Sequence, residues 1–316
     1  MTSHSLPVRL VVLLCQAGGS LQYAFLPATE QPITIDLRPR AEYVARHLVG
    51  SASLPADDLR ERMFELPPPQ EWPLEMVGSA AELASARELL HGRGWRYTEI
   101  DASDPTVWTT RATESGESEE QTWRPNAFLA AAVRDLDLTA LPSGCIIDVG
   151  CGSGRDAVFL AQALTHAGMR DRRVLAVDNH RAALDRARAL AHMCKVDVEC
   201  IEIDLRKPPG LGAALLDPPR QSVALLHGCR FLHRPLLDDL PDLMAPGGLV
   251  VYSHFMDPID GPPLAPPFRA SRRLQRGELR STFDELQFEV LRDETGVLLT
   301  RGELCDAQFF VARRPL

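Results

Sequence analysis

The sequence predicts an α/β protein whose C-terminal part folds as an open, mostly parallel sheet with helices on both faces. Two observations support this fold class. Short apolar runs typical of buried strands alternate with segments that carry apolar residues at helical spacing. Three of those runs are followed by an acidic residue, at Asp148, Asp178 and Asp204. Because strands that alternate with helices are joined by right-handed crossovers, these strands are expected to run parallel.

A glycine turn follows the first predicted strand. Ile146–Leu160 reads IIDVGCGSGRDAVFL and places Gly150, Gly152 and Gly154 at every second position, ahead of a helical apolar pattern. Glycines allow a sharp turn and a close approach of a ligand to the backbone, and the next helix offers its N-terminal N–H groups. Arg155 stands where a dinucleotide fingerprint has its third glycine, and no Lys-Ser/Thr pair follows, so neither phosphate-binding motif is predicted.

Asp148 ends the strand two residues before the first glycine, where a carboxylate would repel a phosphate but attract a cation. An acid followed by G-x-G-x-G resembles motif I of the class I S-adenosylmethionine (SAM) methyltransferases. The resemblance implies SAM as the cofactor, because SAM has a sulfonium and an amino group and no phosphate. It assigns these residues to the first part of the cofactor site: Asp148, Gly150, Cys151, Gly152 and Gly154. For the motif alone, a glycine turn with a purely structural role is the alternative.

The acids after the second and third strands fit the same resemblance. Asp178, followed by Asn179, occupies the position at which doubly wound folds hold a ribose diol. Asp204 resembles the methyltransferase acid that binds the adenine amino group, with Leu205 as the apolar neighbour of the ring. All four residues are therefore expected to bind the cofactor.

The remaining elements complete a Rossmann-like, seven-stranded class I methyltransferase sheet. Its predicted strands are 145–148, 174–178, 198–203, 222–227, 246–252, 288–291 and 308–312, the last one antiparallel. Helices are predicted over 127–136, where the helix would lie over the entrance of the cofactor site, and over 181–193.

Candidates for a general base follow the fourth strand. His227 stands at the C-terminal end of that strand, which is the ligand edge of an open α/β sheet, and imidazole titrates near neutral pH. His227 is therefore the predicted catalytic base, with Cys229 and Arg230 beside it. A hydrogen-bonded histidine that lines the cofactor pocket is the alternative, and the sequence leaves both open. His233 follows a helical spacing and is expected to be structural.

Three further segments bear on the methyl acceptor. Asp217–Arg220 reads DPPR and resembles the D/N-P-P-Y/F motif of amino-group methyltransferases, although it precedes the fourth strand and lacks the aromatic residue. The proline-rich segment Pro258–Pro267 is long enough for a lid or an acceptor wall. The third segment contains five arginines that predict either a solvated helix face or an anionic-acceptor site: Arg269, Arg272, Arg273, Arg276 and Arg280.

The tract 228–255 contains R-F-L-H-R-P-L-L, P-G-G and Y-S-H-F, and is similar to the tellurite-resistance type of SAM methyltransferase. This resemblance covers 123–316 and implies transfer of a methyl group to a small thiol or chalcogen acceptor, and the arginines after 268 add an anionic acceptor to the expectation. Two other classes remain as alternatives: a nucleic-acid or protein methyltransferase, and a non-enzymatic SAM-binding regulator. The net charge of −9 makes nucleic acid the less expected partner.

Residues 1–112 carry a second resemblance, to the rhodanese domain. It rests on Asp36-Leu37-Arg38, Glu42-Tyr43 and the turn His47–Ala52. A rhodanese needs a thiolate nucleophile in a loop of backbone N–H groups. That loop falls near Gly78, and no cysteine lies between Cys15 and Cys145. The domain is therefore expected to be inactive and to serve docking or regulation, which leaves a protein partner open.

Length and composition bear on the number of domains and on the cellular compartment. The chain of 316 residues suggests two domains at about 150 residues each. The acidic segment 113–122 predicts a linker between the rhodanese-like domain, 1–112, and the methyltransferase domain, 123–316. Seven cysteines without a CxxC pair predict neither a disulfide framework nor a metal site, and favour the reducing cytoplasm. No apolar run reaches the ~18 residues that span a bilayer, so no membrane association is expected.

Overall fold

The structure of the protein is a computed structural model that describes residues 32–67, 69, 72–118, 120–207, 211, 221–258, 270–300 and 303–316. The chain divides into two compact units. Among the described residues, the smaller unit lies within Pro27–Arg124 and Leu299–Glu303, and the larger within Pro125–Leu298 and Leu304–Leu316. The DPPR segment 217–220, Arg269 and 259–267 of the proline-rich segment lie outside the described residues. Within the described ranges, no helix is long and apolar enough to cross a membrane.

The smaller unit contains a four-stranded parallel sheet in the order β3-β1-β4-β5. Its elements are β1 (Ile33–Asp36), α1 (Arg40–Ala45), β2 (His47–Leu48), β3 (Ala52–Ser53), α2 (Leu59–Arg62), a 3₁₀ turn (Met63–Glu65), β4 (Leu74–Gly78), α3 (Ala80–Leu90), β5 (Tyr97–Asp101), α4 (Val107–Thr110) and β6 (Thr113–Glu114). Strands β2 and β6 form a separate antiparallel pair. The first two residues of the predicted linker, 113–114, therefore belong to a strand.

The D-x-R sequence at the end of β1 forms an internal ion pair. Arg38 donates to both carboxylate oxygens of Asp36, at 3.0 and 2.6 Å, and to the main-chain oxygen of Arg46 at 2.7 Å. The guanidinium also lies 4.3 Å from the ring centroid of Trp108. Buried charges need this degree of pairing, so Asp36 and Arg38 organise the entry to α1.

The loop at which the rhodanese resemblance would require a nucleophile is closed by a helix cap. The Ser79 hydroxyl accepts the Glu82 N–H at 3.5 Å, and the Glu82 carboxylate accepts the Ser79 N–H at 2.7 Å. A Cβ added at Gly78 would lie 3.2 Å from the same carboxylate. The start of α3, where an anion would bind in such a loop, thus already has a carboxylate of the chain itself.

Removing this cap should lower the stability of the smaller unit. The substitution Ser79→Ala is expected to cost about 1 kcal/mol of the free energy of unfolding, because the Glu82 N–H loses its acceptor. Ser79→Thr keeps the hydroxyl and should cost less. Urea unfolding measures both variants, and an unchanged midpoint for Ser79→Ala would show that the capping box contributes nothing to stability.

The larger unit contains a seven-stranded sheet in the order β12-β13-β11-β10-β7-β8-β9. Its elements are α5 (Ala127–Asp135), a 3₁₀ turn (Leu138–Ala140), β7 (Cys145–Val149), α6 (Arg155–His166), β8 (Val174–Asp178), α7 (Arg181–Met193), β9 (Glu199–Glu202), β10 (Val223–Cys229), α8 (Arg234–Asp238), α9 (Leu240–Leu243), β11 (Met244–Phe255), a 3₁₀ turn (Ala270–Arg272), α10 (Glu278–Glu285), β12 (Glu289–Thr300) and β13 (Glu303–Arg313). Strands β7 to β11 pair in parallel, and β13 is antiparallel to β11. The predicted seven-stranded sheet with an antiparallel last strand is confirmed.

The central strands are apolar along their whole length because both faces of the sheet are covered. Val149, Val177 and Phe310 belong to the core on one face, whereas Ile146 and Ala176 belong to the core on the other. All five side chains are buried. Burial on both faces explains why the continuous apolar runs of the sequence predicted these strands without alternation.

The predicted helical spacing around His233 is wrong. Arg230 has a left-handed backbone with φ 55°, and His233 is extended, with α8 beginning only at Arg234. Pro235 stands in the first turn of that helix, where its missing N–H costs nothing. The segment 230–233 is therefore a connection that leads away from the C-terminal end of β10.

Candidate cofactor and active site

The three glycines after β7 are required for three different reasons. All have left-handed backbones, with φ of 68°, 55° and 76° at Gly150, Gly152 and Gly154. A Cβ at Gly154 would lie 2.5 Å from that of Ala187 on α7, and one at Gly150 would lie 2.6 Å from the Phe231 ring. A Cβ at Gly152 would meet nothing within 4 Å. Gly154 thus permits helix packing, whereas Gly152 faces open space that a ligand can fill.

Asp178, at the end of β8, fixes the glycine loop through hydrogen bonds to its carboxylate. One carboxylate oxygen accepts the Gly152 N–H and the other accepts the His180 N–H, both at 2.9 Å. The main-chain oxygen of Val177 accepts the N–H groups of Gly150 and Cys151 at 2.8 and 3.1 Å. Since each carboxylate oxygen has a second lone pair, the fixed Asp178 side chain can still accept two hydroxyl groups of a ligand.

Asp148, at the end of β7, is a buried carboxyl group with one unpaired oxygen. The residue is 2% exposed, and its Oδ2 has no hydrogen-bond partner among the described residues. Burial raises the pKa of Asp148 to about 7, with the nearby charges of Asp156 and Asp178 acting in the same direction and that of His227 opposing them. A buried carboxylate in need of a partner suits a cationic ligand.

Both ring nitrogens of His227, the predicted catalytic base, have partners within the protein. The ring is 0% exposed, with Nδ1 3.1 Å from the Val251 main-chain oxygen and Nε2 3.2 Å from Asp156 Oδ2. Burial alone would lower the pKa of His227, but the hydrogen bond and charge of Asp156, the charge of Asp148 and the Val251 oxygen together raise that pKa. With both nitrogens donating to the protein, no lone pair remains to take a proton from an acceptor. The alternative, a hydrogen-bonded histidine beside the cofactor site, is the one the structure supports.

Asp156 is a functional candidate that sequence reasoning missed. It lies in the first turn of α6, and its Oδ1 accepts the Asn126 N–H at 2.6 Å. Burial would raise its pKa, but the hydrogen bond from His227 and its charge, the Asn126 N–H and the charge of Arg230 together hold the pKa of Asp156 below its ordinary value. Asn126 caps α5 and donates to the Cys229 thiol at 3.1 Å. The start of α5 thus lies beside Asp156 and the C-terminal end of β10. The signal for Asp156 in the sequence was an acid at a helix N-terminus.

The other predicted cofactor-binding residues, Asp204, Leu205 and Asn179, differ in their exposure. Asp204 is half-buried, accepts the Arg206 N–H at 3.2 Å and lies 3.3 Å from the Lys207 ammonium. That backbone hydrogen bond lowers the pKa of Asp204. Leu205 is buried in the core next to it. Asn179, in contrast, is exposed.

Cys151, in the glycine loop, is half-buried. Burial raises the pKa of the Cys151 thiol, with the charges of Asp148 and Asp178 acting in the same direction. The thiol therefore stays protonated at neutral pH and can contact a cofactor without acting as a nucleophile.

The groups at the C-terminal ends of β10 and β11 are not arranged to accept a proton near pH 7. Burial raises the pKa of the Cys229 thiol and of the Tyr252 phenol, and the Tyr252 hydroxyl donates to the main-chain oxygen of Phe231. Burial lowers the pKa of His254 to about 4. Its Nε2 donates to the Arg272 main-chain oxygen at 2.8 Å.

Two of the described arginines of the predicted anionic-acceptor site lie beside different carboxylates. Arg273 is buried, and its Nε lies 3.0 Å from an Asp257 oxygen. Arg280 pairs with Asp284 at 2.9 Å along the exposed side of α10. The alternative of a solvated helix face therefore fits Arg280, and these two arginines do not form a shared anion site.

Comparison with known proteins assigns a class to the segment that carries this geometry. Residues 146–248 match a family model described as a methyltransferase domain. The match begins in β7 and ends in β11, so it includes the glycine loop and the acids at the three strand ends. The match agrees with the predicted methyltransferase resemblance over this segment of the chain.

The individual proteins that this chain resembles have low sequence identity to it. UNK4.09, an uncharacterized protein of Schizosaccharomyces pombe, is 23% identical over 138 residues, which are 40% of this chain and 41% of that protein. The chain therefore matches about two fifths of the length of that curated relative. Among solved structures, TehB from Haemophilus influenzae is similar with a TM-score of 0.44 and 15% identity, over 59% of this chain and 61% of that chain. A SAM-dependent methyltransferase from Aquifex aeolicus has a TM-score of 0.38 and 17% identity, over 58% and 88% of the two chains.

Proposed function

We propose that the larger unit is a SAM-dependent methyltransferase that acts on a small acceptor. The observation that carries the proposal is the glycine loop held by Asp178, with open space at Gly152 and an unpaired, buried oxygen on Asp148. In this proposal Asp148 binds the amino group of SAM, Asp178 and Asn179 hold the ribose, and Asp204 and Leu205 contact the adenine. SAM supplies a methyl group on a positively charged sulfur, so positioning alone can account for much of the rate.

The charge around the loop supports SAM over a phosphate ligand. Asp148 experiences the negative charges of both Asp156 and Asp178, and a phosphate would add to this repulsion. A ligand with an ammonium and a sulfonium would be attracted instead. The same charges explain why the N-terminus of α6, although a common phosphate site in other folds, favours a different ligand here.

The protonation states at the acceptor edge support a nucleophile that needs no help from a protein base. His227 has both nitrogens engaged, and the pKa of His254 is lowered to about 4. A hydroxyl or ammonium acceptor would have to lose a proton during the reaction, whereas a thiolate or a chalcogen anion would not. We therefore propose a small, polarisable acceptor that is already ionised. In this proposal it would bind next to SAM, in contact with Cys229, Phe231 and the start of α5.

Transfer of a labelled methyl group tests the proposal. Purified protein and labelled SAM would be incubated separately with small thiols, small chalcogen anions, RNA and protein. Transfer to a small acceptor, with a rate that follows the ionisation of the acceptor itself, is expected. Transfer only to RNA or protein would overturn the small acceptor, and SAM binding without transfer to any pool would favour the regulator. Absence of SAM binding would overturn the cofactor.

We also infer that the smaller unit is an inactive, rhodanese-like docking or regulatory module. The start of α3 is occupied by the Glu82 carboxylate, and no thiol lies near Gly78 in the sequence. Thiosulfate-to-cyanide sulfur transfer is therefore expected to stay at background. Turnover above background that Cys15→Ser abolishes would show that a thiol elsewhere in the chain serves as the nucleophile.

A further inference from the structure

Three ionisable side chains, Asp156, His227 and Asp148, lie beside the glycine loop and are called the row below. Asp156 Oδ2 lies 3.2 Å from His227 Nε2, and His227 is the register partner of Asp148 on the neighbouring parallel strand. Side chains of register partners on adjacent strands lie on the same face, about 5 Å apart. The His227 ring thus contacts the Asp156 carboxylate and lies on the same face of the sheet as Asp148, and its Nδ1 donates to the Val251 main-chain oxygen at 3.1 Å.

This row has one negative charge too many for a buried site. With both carboxylates ionised and His227 protonated, its net charge is −1. Burying a charge without a partner is costly, and Asp148 Oδ2 has no partner among the described residues. In the absence of a cation, the row lowers that cost by keeping a proton on Asp148.

Other groups around the row do not supply the missing positive charge to Asp148. Asp178 on β8 adds a further negative charge near Asp148. Cys151 in the glycine loop is kept neutral by burial. The positive charge of Arg230, which follows β10, lowers the pKa of Asp156. Among the described residues whose charges act most strongly on Asp148, His227 alone is positive, so a proton or a cationic ligand would supply the compensating charge.

We propose that the buried carboxyl group of Asp148 keeps a proton in the empty site and releases it when a cationic ligand binds, and that Asp156 and His227 are positioning residues for this donor site, because the positive charge of His227 favours the release of that proton. This inference rests on the proposed function, because SAM is the cation concerned. The released proton passes to the solvent, and the ammonium of SAM replaces it as the charge next to the Asp148 carboxylate. Asp156 acts through His227, whose positive charge it maintains.

The proposal fixes the direction of a pH dependence. The ordinary pKa of an aspartic acid is 3.8, and that of Asp148 in the empty protein is raised to about 7. Below that pH the empty site is protonated, so binding of SAM must expel a proton. Affinity should therefore fall as the pH decreases, by up to about tenfold per pH unit. Above it the dependence on Asp148 should level off, until the α-amino group of SAM itself deprotonates at about 7.7–8.0.

Calorimetric titration of SAM into the full-length protein at pH ~6.3, in two buffers of different ionisation enthalpy, counts the released protons. The expected result is release of roughly 0.5–1 proton per SAM by the wild-type protein and none by Asp148→Asn, which cannot carry the proton. SAM binding by the wild-type protein without proton release would overturn this inference and leave the proposed function intact. No SAM binding between pH 6 and 8 would overturn both.

A second variant tests the positioning role of His227. His227→Gln keeps an N–H donor toward Asp156 but removes the positive charge that favours ionised Asp148. The pH at which SAM affinity levels off should then rise by about one unit. A loss of affinity that is the same at every pH would assign His227 a structural role only and would contradict the proposal. If the variant does not fold, the proton count of the wild-type protein still decides the inference.

Discussion

Replacing Asp178 by alanine is expected to lower the affinity for SAM by at least tenfold. In the protein this carboxylate accepts the N–H groups of Gly152 and His180, and in the proposed complex it also accepts two ribose hydroxyls. Hydrogen bonds to charged groups contribute about 1.5–3 kcal/mol each, and about 1.4 kcal/mol corresponds to a factor of ten in affinity. Loss of one such bond is therefore enough for the expected effect, and isothermal titration calorimetry measures it.

A matched variant separates the charge of Asp178 from its shape. Asp178→Asn keeps one acceptor oxygen and nearly the same volume, so it should lose less affinity than Asp178→Ala. Thermal unfolding of both variants would show whether the glycine loop remains ordered. Wild-type affinity in a folded Asp178→Ala protein would contradict the assignment of the ribose site.

Gly154→Ala is expected to give the largest loss of stability. The added Cβ would lie 2.5 Å from the Cβ of Ala187, so helices α6 and α7 would have to move apart. Overpacking a core contact costs about 1–3 kcal/mol, and a left-handed backbone costs a non-glycine residue about 1–2 kcal/mol more. The free energy of unfolding should therefore fall by about 2–5 kcal/mol, as measured by urea denaturation.

Gly152→Ala is the control for that variant. Its backbone is equally left-handed, with φ 55°, but an added Cβ would meet no atom within 4 Å. It should therefore lose only the cost of the backbone, about 1–2 kcal/mol, while its affinity for SAM falls because the methyl group fills ligand space. Equal losses of stability in the two variants would contradict the separate roles of Gly152 and Gly154.

The sequence alone was sufficient to predict the sheet of the larger unit and the edge of that sheet at which a ligand would bind. Its central strands are apolar along most of their length because both faces of the sheet are covered, and Asp148, Asp178 and Asp204 lie near the ends of three strands. Parallel strands bring those ends to one edge, so residues far apart in the chain could be assigned to one site. The smaller unit was less predictable: Tyr97–Asp101 is a half-exposed edge strand with a polar pattern.

The protonation chemistry could not be predicted, because it depends on contacts between distant parts of the chain. A histidine at a strand end is typical of a catalytic base, but 71 positions separate His227 from Asp156, which occupies its Nε2. The arginines after 268 were close in sequence and suggested a shared anion site. In the structure Arg273 and Arg280 lie beside the carboxylates of Asp257 and Asp284. Helical spacing could have indicated the Arg280–Asp284 pair, which is four residues apart on α10, whereas no spacing rule indicates Asp257 as the partner of Arg273.

A crystal structure of the full-length protein with SAM tests the central claim most directly. The account predicts SAM against the glycine loop, with the Asp178 carboxylate at about 2.5–3.0 Å from both ribose hydroxyls. It also predicts the amino group next to Asp148 Oδ2 and the adenine beside Asp204 and Leu205. A ribose away from Asp178, or SAM bound outside the ends of β7, β8 and β9, would contradict it.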